Sequence, residues 1–233
     1  MSQPFKLFRL QQIDSQLDQG RGRLREIEAT LNDNAAVNQA QQRSSAADEE
    51  LATARKTLHR TEENVQAQQV KIEQTEAALY GGRVRNPKEL QDLQNESAAL
   101  KRFLDTLEER QLEALIAVEE AELLYKAAAE TLSKVTAEDK LLRQQLIAEQ
   151  RSLQQDIKRL EVERQAATNS ISPDDLSLYE KLRQLRRGVA VAKVNVNVCS
   201  ACGSALSAAL LQASRSPNHL ARCDSCGRIL YAG

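Results

Sequence analysis

Residues 80–90 read YGGRVRNPKEL. Two glycines stop whatever precedes them, and an Asn-Pro pair opens whatever follows. Gly81 is suited to end a helix in a left-handed cap. Asn86 is suited to cap the next one, with Pro87 in its first turn and Glu89 at the capping-box position. A stop and a start this close together make the flanking helices antiparallel neighbours. The turn, at about residues 80–87, therefore predicts a hairpin within one chain rather than pairing between chains.

The sequence on both sides carries the stripe such a hairpin needs. After the turn one series runs Leu90, Ser97, Leu104, Gln111, Val118, Tyr125, Leu132, Asp139, Leu146, Leu153 and Leu160. Its companion runs Leu93, Leu100, Leu107, Ala114, Ala121, Ala128, Val135, Leu142, Glu149 and Asp156. Spacings of three and four, sustained, give one seam and a coiled-coil partner. Before the turn, Leu10, Leu17, Leu24 and Leu31 are seven apart, with Ile13 and Ile27 between, and so are Leu51, Leu58, Val65, Ile72 and Leu79. The two runs are out of phase by one residue, so the polar stretch 32–45 is expected to hold a bend or a register slip. Gly20 and Gly22 are expected to weaken the first helix locally. The composition agrees, since aromatics are only 3% of the chain and charged residues 28%.

The tail differs in kind. Ser172-Pro173-Asp174-Asp175 has the chemistry of a helix start, and Gly188 that of a stop. Residues 189–198, VAVAKVNVNV, alternate and are β-branched, which reads as one strand. A short helix is expected over 207–213, a turn over 214–219, and short strands over 220–222 and 228–231. Two cysteine pairs follow the first strand, Cys199-x-x-Cys202 and Cys223-x-x-Cys226, each with a glycine after it. These are all four cysteines of the chain. Their spacing fits two thiolate knuckles closing a tetrahedral site for one structural Zn²⁺. Iron in the same cage and a disulfide or redox pair are the alternatives. The N-terminal stretch shows no secretory pattern, so a reducing, cytoplasmic setting is expected, which favours metal. Four protein ligands leave no open coordination position and no metal catalysis. His219 is read as a turn residue, not a fifth ligand.

The fold class expected is thus mostly α: a long antiparallel coiled-coil hairpin over 1–170, then a base helix and a small C-terminal α+β zinc ribbon over 171–233. The residues match a family at this point. VRNPKELQDLQNE (84–96), LYEKLR (178–183) and CDSCGRILY (223–231) resemble the bacterial proteins that join a coiled-coil hairpin to a C4-type zinc ribbon. The resemblance covers nearly the whole chain and implies Cys199, Cys202, Cys223 and Cys226 as zinc ligands. It implies no catalysis. It implies an adaptor linked to nucleic acid and, in some bacteria, to flagellar gene regulation and an alternative sigma factor. The linker between the knuckles is Ala/Ser-rich here, where members often carry charged or aromatic residues.

Charge separates two ways of acting. Residues 179–233 hold eight Lys or Arg against Glu180 and Asp224, a net +6, leaving −7 for the rest. Lys193, Arg215, Arg222 and Arg228, with Arg186 and Arg187 close by, are the candidate contacts to an RNA or DNA backbone. Aromatics for base stacking are nearly absent from the ribbon, where Tyr231 stands alone. The alternative is a protein–protein scaffold that presents its hairpin turn to a transcription component or another large assembly. Arg83, Val84, Arg85 and Lys88 are the candidate contacts there. This turn lacks the acidic pair with which transcript-cleavage factors chelate Mg²⁺. There is no phosphate loop, nucleophile elbow or partnered histidine, so no enzyme and no small-molecule substrate are expected. No apolar run approaches a membrane span.

Overall fold

The computed structural model describes residues 2–217 and 219–233. Asn218, within the expected turn at 214–219, lies outside the described residues. Four helices come first: α1 (Gln3–Asn32), α2 (Ala35–Tyr80), α3 (Pro87–Thr168) and α4 (Pro173–Leu185). Then follow β1 (Val191–Asn195), β2 (Val198–Cys199), α5 (Ala208–Ser214) and β3 (Ile229–Tyr231). The fold is mostly α, a coiled-coil hairpin with a small α+β ribbon at the C-terminal end. By packing, the chain divides into two compact units, 34–142 and the combination of 1–33 with 143–233.

In the first of these, α2 and residues 87–142 of α3 form an antiparallel pair through the turn. The chain leaves α2 through Gly81, whose N–H donates to Ala77 O at 3.0 Å. The left-handed residue is not Gly81, at φ −74°, but Gly82, at φ 72°. The helix closes one residue later than the sequence suggests because Gly81 completes its last turn. Asn86 caps α3 as expected, accepting from Lys88 N–H at 3.0 Å. The seam holds the heptad residues: Leu51, Val65, Ile72 and Leu79 on α2 are buried, as are Ser97, Leu107, Ala114, Val118 and Ala121 on α3. Besides Ser97, the polar Gln68 enters it, 3% exposed, with its Nε2 donating to Leu100 O at 3.0 Å.

In the other unit α1 packs on residues 143–168 of α3 through Ile13, Leu17, Ile157 and Leu160. Gly20 continues the Ile13–Ile27 series. A Cβ placed on it would meet Ile157 Cγ1 at 3.3 Å, so the residue marks close helix approach rather than mere weakness. The phase slip is a true break. α1 ends at Asn32, and Arg143 donates to the carbonyls of Leu31 (2.6 Å) and Asp33 (2.9 Å), which the lost helical turn leaves over.

The ribbon is seated on the start of α1. Leu7 and Leu10 pack with Ile171, Tyr179, Leu182, Ala190, Val191 and Ile229 in one buried cluster. Beside them Gln11 Oε1 accepts from the N–H groups of Ala190 (2.7 Å) and Val191 (2.6 Å), and its Nε2 donates to Val191 O at 2.9 Å. Asp14, 1% exposed, accepts from Arg164 Nε at 2.7 Å and from the Tyr179 hydroxyl at 2.8 Å. Phe8 stacks on Tyr231 with centroids 5.1 Å apart, and Phe5 tilts against the same ring. Both N-terminal phenylalanines thus close the seat of the ribbon.

Burial, and then the Asp14 carboxylate, raise the Tyr179 phenol well above its ordinary value of 10.0. The neutral phenol is the form the fold favours. Its stabilisation is complete below pH 10 and is lost as pH climbs from there towards the raised value. Tyr179→Phe is expected to cost about 1–2 kcal/mol at neutral pH and to flatten this alkaline loss. Urea unfolding followed at neutral pH and above pH 10 measures both effects.

Candidate metal centre

The alternation of residues 189–198 is not one strand. β1 ends at Asn195, Val196 and Asn197 both take positive φ (45° and 64°), and the chain returns as β2. Two consecutive left-handed residues make a tight hairpin turn of the primed type, which asparagine tolerates and valine does not favour. Val196 stands 95% exposed at its tip. The alternating pattern hides the turn because valine looks like strand on either side of it. β2 pairs with β1 antiparallel, with Val194 opposite Cys199, and β3 pairs with β1 in parallel, with Val191 opposite Ile229. Cys199 is delivered by the returning strand. Cys223 is delivered by the segment bridged to β3 at Arg222–Ile229.

Each pair then turns in the same way. Gly203 N–H donates to Cys199 O, and Gly227 N–H to Cys223 O, both at 2.8 Å. Gly203 (φ 73°) and Gly227 (φ 72°) occupy the left-handed region that these turns require. The second half of each turn is fixed by Cys199 N–H to Ser204 O (3.0 Å) and Cys223 N–H to Arg228 O (2.9 Å). All four sulfurs lie within 4.8 Å of one another. Two of the separations, Cys199–Cys226 and Cys202–Cys223, are 3.8 Å. Sulfurs bound at about 2.3 Å around one tetrahedral ion stand about 3.8 Å apart, so the cage has the size of a Zn²⁺ site. The four thiols are free of disulfides. Burial pushes the Cys199 thiol up to about 12, while the hydroxyl and N–H of Ser204 lower Cys202 to about 6. Metal binding needs all four as thiolates, so it releases protons. The chain carries one structural zinc, bound by Cys199, Cys202, Cys223 and Cys226.

The basic residues are distributed unevenly. Arg222 Nε donates to Gly227 O at 3.1 Å, and Arg228 Nε to Val189 O at 2.8 Å. Arg228 Nη2 also reaches Arg186 O at 3.4 Å. The terminal nitrogens of Arg222 and Arg186 lie 3.3 and 4.0 Å from where a Cβ on Gly227 would stand. These three arginines converge near the second knuckle: Arg222 braces it through Gly227 O, and Arg228 ties the residue that follows it to the carbonyls of Val189 and Arg186. Lys193 is apart from them, opposite Tyr231 in the β1–β3 register, with Nζ 4.8 Å over the Phe8 ring. Arg215 ends α5. His219 is exposed, and the metal cluster does not include it. At the hairpin turn Arg83, Arg85 and Lys88 are exposed and Val84 is half-buried. The contribution of Arg186 was signalled in sequence only by its place in the basic pair before Gly188. The roles of Gln11 and Asp14 had no signal beyond polar residues beside an apolar stripe.

Zinc content of the purified chain is expected at one per chain by elemental analysis. Cys199→Ser or Cys223→Ser is expected to abolish it and to expose the ribbon to proteolysis while helical circular dichroism is kept. Ion release on acidification is expected to be steep, since the thiolates must regain protons.

The comparisons with known proteins agree with this geometry. Residues 198–230 match the C4-type zinc ribbon domain. Among solved structures, CT398 from Chlamydia trachomatis is 20% identical, with a TM-score of 0.74, covering 99% of this chain and 97% of that one. A protein from Mycobacterium smegmatis is 21% identical, with a TM-score of 0.65 and full coverage of both chains. HP0958 from Helicobacter pylori is 17% identical, with a TM-score of 0.51, covering 97% and 95%. At these identities the likeness is one of fold. No curated protein matches the chain. Residues 10–187 match the CT398-like coiled coil hairpin domain, and the chain belongs to that family.

Proposed function

We propose that this chain is a non-enzymatic, cytoplasmic adaptor whose zinc ribbon contacts the backbone of RNA or DNA. One observation carries the reading. Among the described residues, Arg186, Arg187, Lys193, Arg215, Arg222 and Arg228 take part in no ion pair, whereas the arginines of the seat, Arg164 and Arg183, are paired with carboxylates. Unneutralised cations on a compact module attract phosphate through counterion release. The zinc supports this mechanically, because metal binding is coupled to folding of the knuckle that Arg222 braces and Arg228 follows. The four-cysteine shell leaves no coordination position for a substrate. No helix of the described residues is long and apolar enough to cross a membrane. Tyr231 is sandwiched against Phe5 and Phe8, so contact through phosphate rather than base stacking is the favoured mode.

A second reading concerns the hairpin turn as a site for a protein partner such as a transcription component. The observation favouring it is that the turn is built by Gly82 and by Asn86, which caps through Lys88 N–H, leaving Arg83 and Arg85 exposed and unused by the fold.

The two readings separate cleanly. Retention on single-stranded RNA or duplex DNA is expected to fall steeply with salt, and each phosphate contact removed is expected to lower the log–log slope by about one. Lys193→Ala and Arg215→Ala are the variants of choice, since Arg222 and Arg228 also hold main-chain carbonyls. Retention indifferent to salt, or absent at low salt, rejects the ribbon contact. For the turn, Arg83→Glu with Arg85→Glu is expected to abolish recovery of a co-purifying protein with circular dichroism unchanged. Undiminished recovery removes the turn.

A further inference from the structure

The outer face of α3 within the unit 34–142 is unlike the outside of a coiled coil. Leu112, Ile116 and Leu123 are 59, 48 and 67% exposed, and Leu124 beside them is 58% exposed. At 3.6 residues per turn the first three fall within about 40° of one another, on the side away from the seam residues Ala114, Val118 and Ala121. Outer positions of a hairpin ordinarily carry charge, because water is their only neighbour. Leu112 and Ile116 are one turn apart on this side, Leu123 follows two turns on past Glu119 and Glu120, and Leu124 stands about 100° round from Leu123, so large aliphatics recur on the outer side over little more than three turns.

The flanks identify what fits. Glu119 stands at one edge of the row, about 20° from Leu112 and between Ile116 and Leu123 along the axis; Glu113 and Glu120 lie on the other edge and Glu109 precedes it, all exposed. Among the described residues none of these four is in an ion pair, although Glu122 is held by Arg55 and Glu130 by Lys134. Residues 105–130 hold eight carboxylates against two cations, Arg110 and Lys126. A second copy of the chain laid on this row would set acid against acid on both edges, and an anionic lipid surface would be repelled in the same way.

We propose that the Leu112–Ile116–Leu123 row of α3 is a docking surface for an amphipathic helix of another protein, one whose apolar stripe is bordered by Lys or Arg. The apolar anchors supply affinity by the helix-on-groove mode, and the unpaired glutamates select for basic flanks. The site is distinct from both the ribbon and the hairpin turn.

The test uses the full zinc-loaded chain and a fluorescein-labelled 18-residue helical peptide of leucine and lysine, leucines spaced i, i+3, i+4, i+7. Controls are the same pattern with glutamate for lysine, and a scrambled leucine–lysine order. Fluorescence anisotropy is expected to show saturable binding of one basic amphipathic peptide per chain and none of either control. Leu112→Gln with Ile116→Gln and Leu123→Gln is expected to weaken it about tenfold or more, as is Glu113→Gln with Glu119→Gln and Glu120→Gln. All substituted residues are exposed, and circular dichroism verifies that the helices persist. If the triple apolar variant loses helix, Ile116→Gln alone replaces it. Binding unchanged in the apolar variant, equal binding of the scrambled or glutamate peptide, or no binding overturns the proposal. Sedimentation of the wild-type chain as a dimer that the apolar variant dissolves assigns the row to a second copy and overturns it too.

Discussion

The carboxamide of Gln11 does for β1 what a neighbouring strand would do. It accepts two backbone N–H groups and donates to one carbonyl, all within 2.9 Å, in a buried position between the first helix and the sheet. Three residues on, Asp14 gathers Arg164 from α3 and Tyr179 from α4. Three elements distant in sequence, β1, α3 and α4, are thereby joined through one turn of α1. The ribbon has few apolar residues of its own, and a module of that size ordinarily needs staples. Here it has two: the metal on one side of its sheet and this polar latch on the other. An unsatisfied amide or carboxylate in either place would cost as much as the whole latch contributes, so the arrangement tolerates only the complete set of partners.

This constraint explains why the N-terminal helix packs with the C-terminal ribbon. Leu7, Leu10, Phe5 and Phe8 cover a surface that the ribbon would otherwise expose, and Gln3 N–H reaches Pro217 O at 2.8 Å. It also has a cost for recognition. Tyr231, the one aromatic ring of the ribbon, is spent on packing, and Arg222 and Arg228 donate through Nε to main-chain carbonyls. What these arginines keep for outside contact is charge and their remaining N–H groups. That is sufficient for phosphate and poor for reading bases.

The elements that were legible beforehand are those set by local chemistry. Every member of the two long heptad series on α3 is buried or half-buried except Leu142. Ser172 caps α4 through Asp175 N–H, and Asn86 caps α3. The misread points are those where a local pattern has two physical solutions. VNVNV is compatible with continued strand or with a two-residue turn. Only the need to bring Cys199 back towards Cys226 selects the turn, at the expense of a left-handed valine. Gly81 and Gly82 are equally able to leave the helix, and the last intrahelical bond decides between them. Gly20 reads as a helix breaker until Ile157 is seen against it.

The sequence by itself determined the helices, their seam, the turn between them, and a four-thiolate metal site, because periodicity, caps and ligand spacing act within a few residues of chain. Only the tertiary structure decided that Gln11 and Asp14 are core residues, that the phenylalanines of α1 belong to the ribbon, and that three arginines converge near one knuckle. The physical reason is that burial of a polar group depends on partners 150 to 180 residues away, and nothing in its immediate neighbours records whether those partners will arrive.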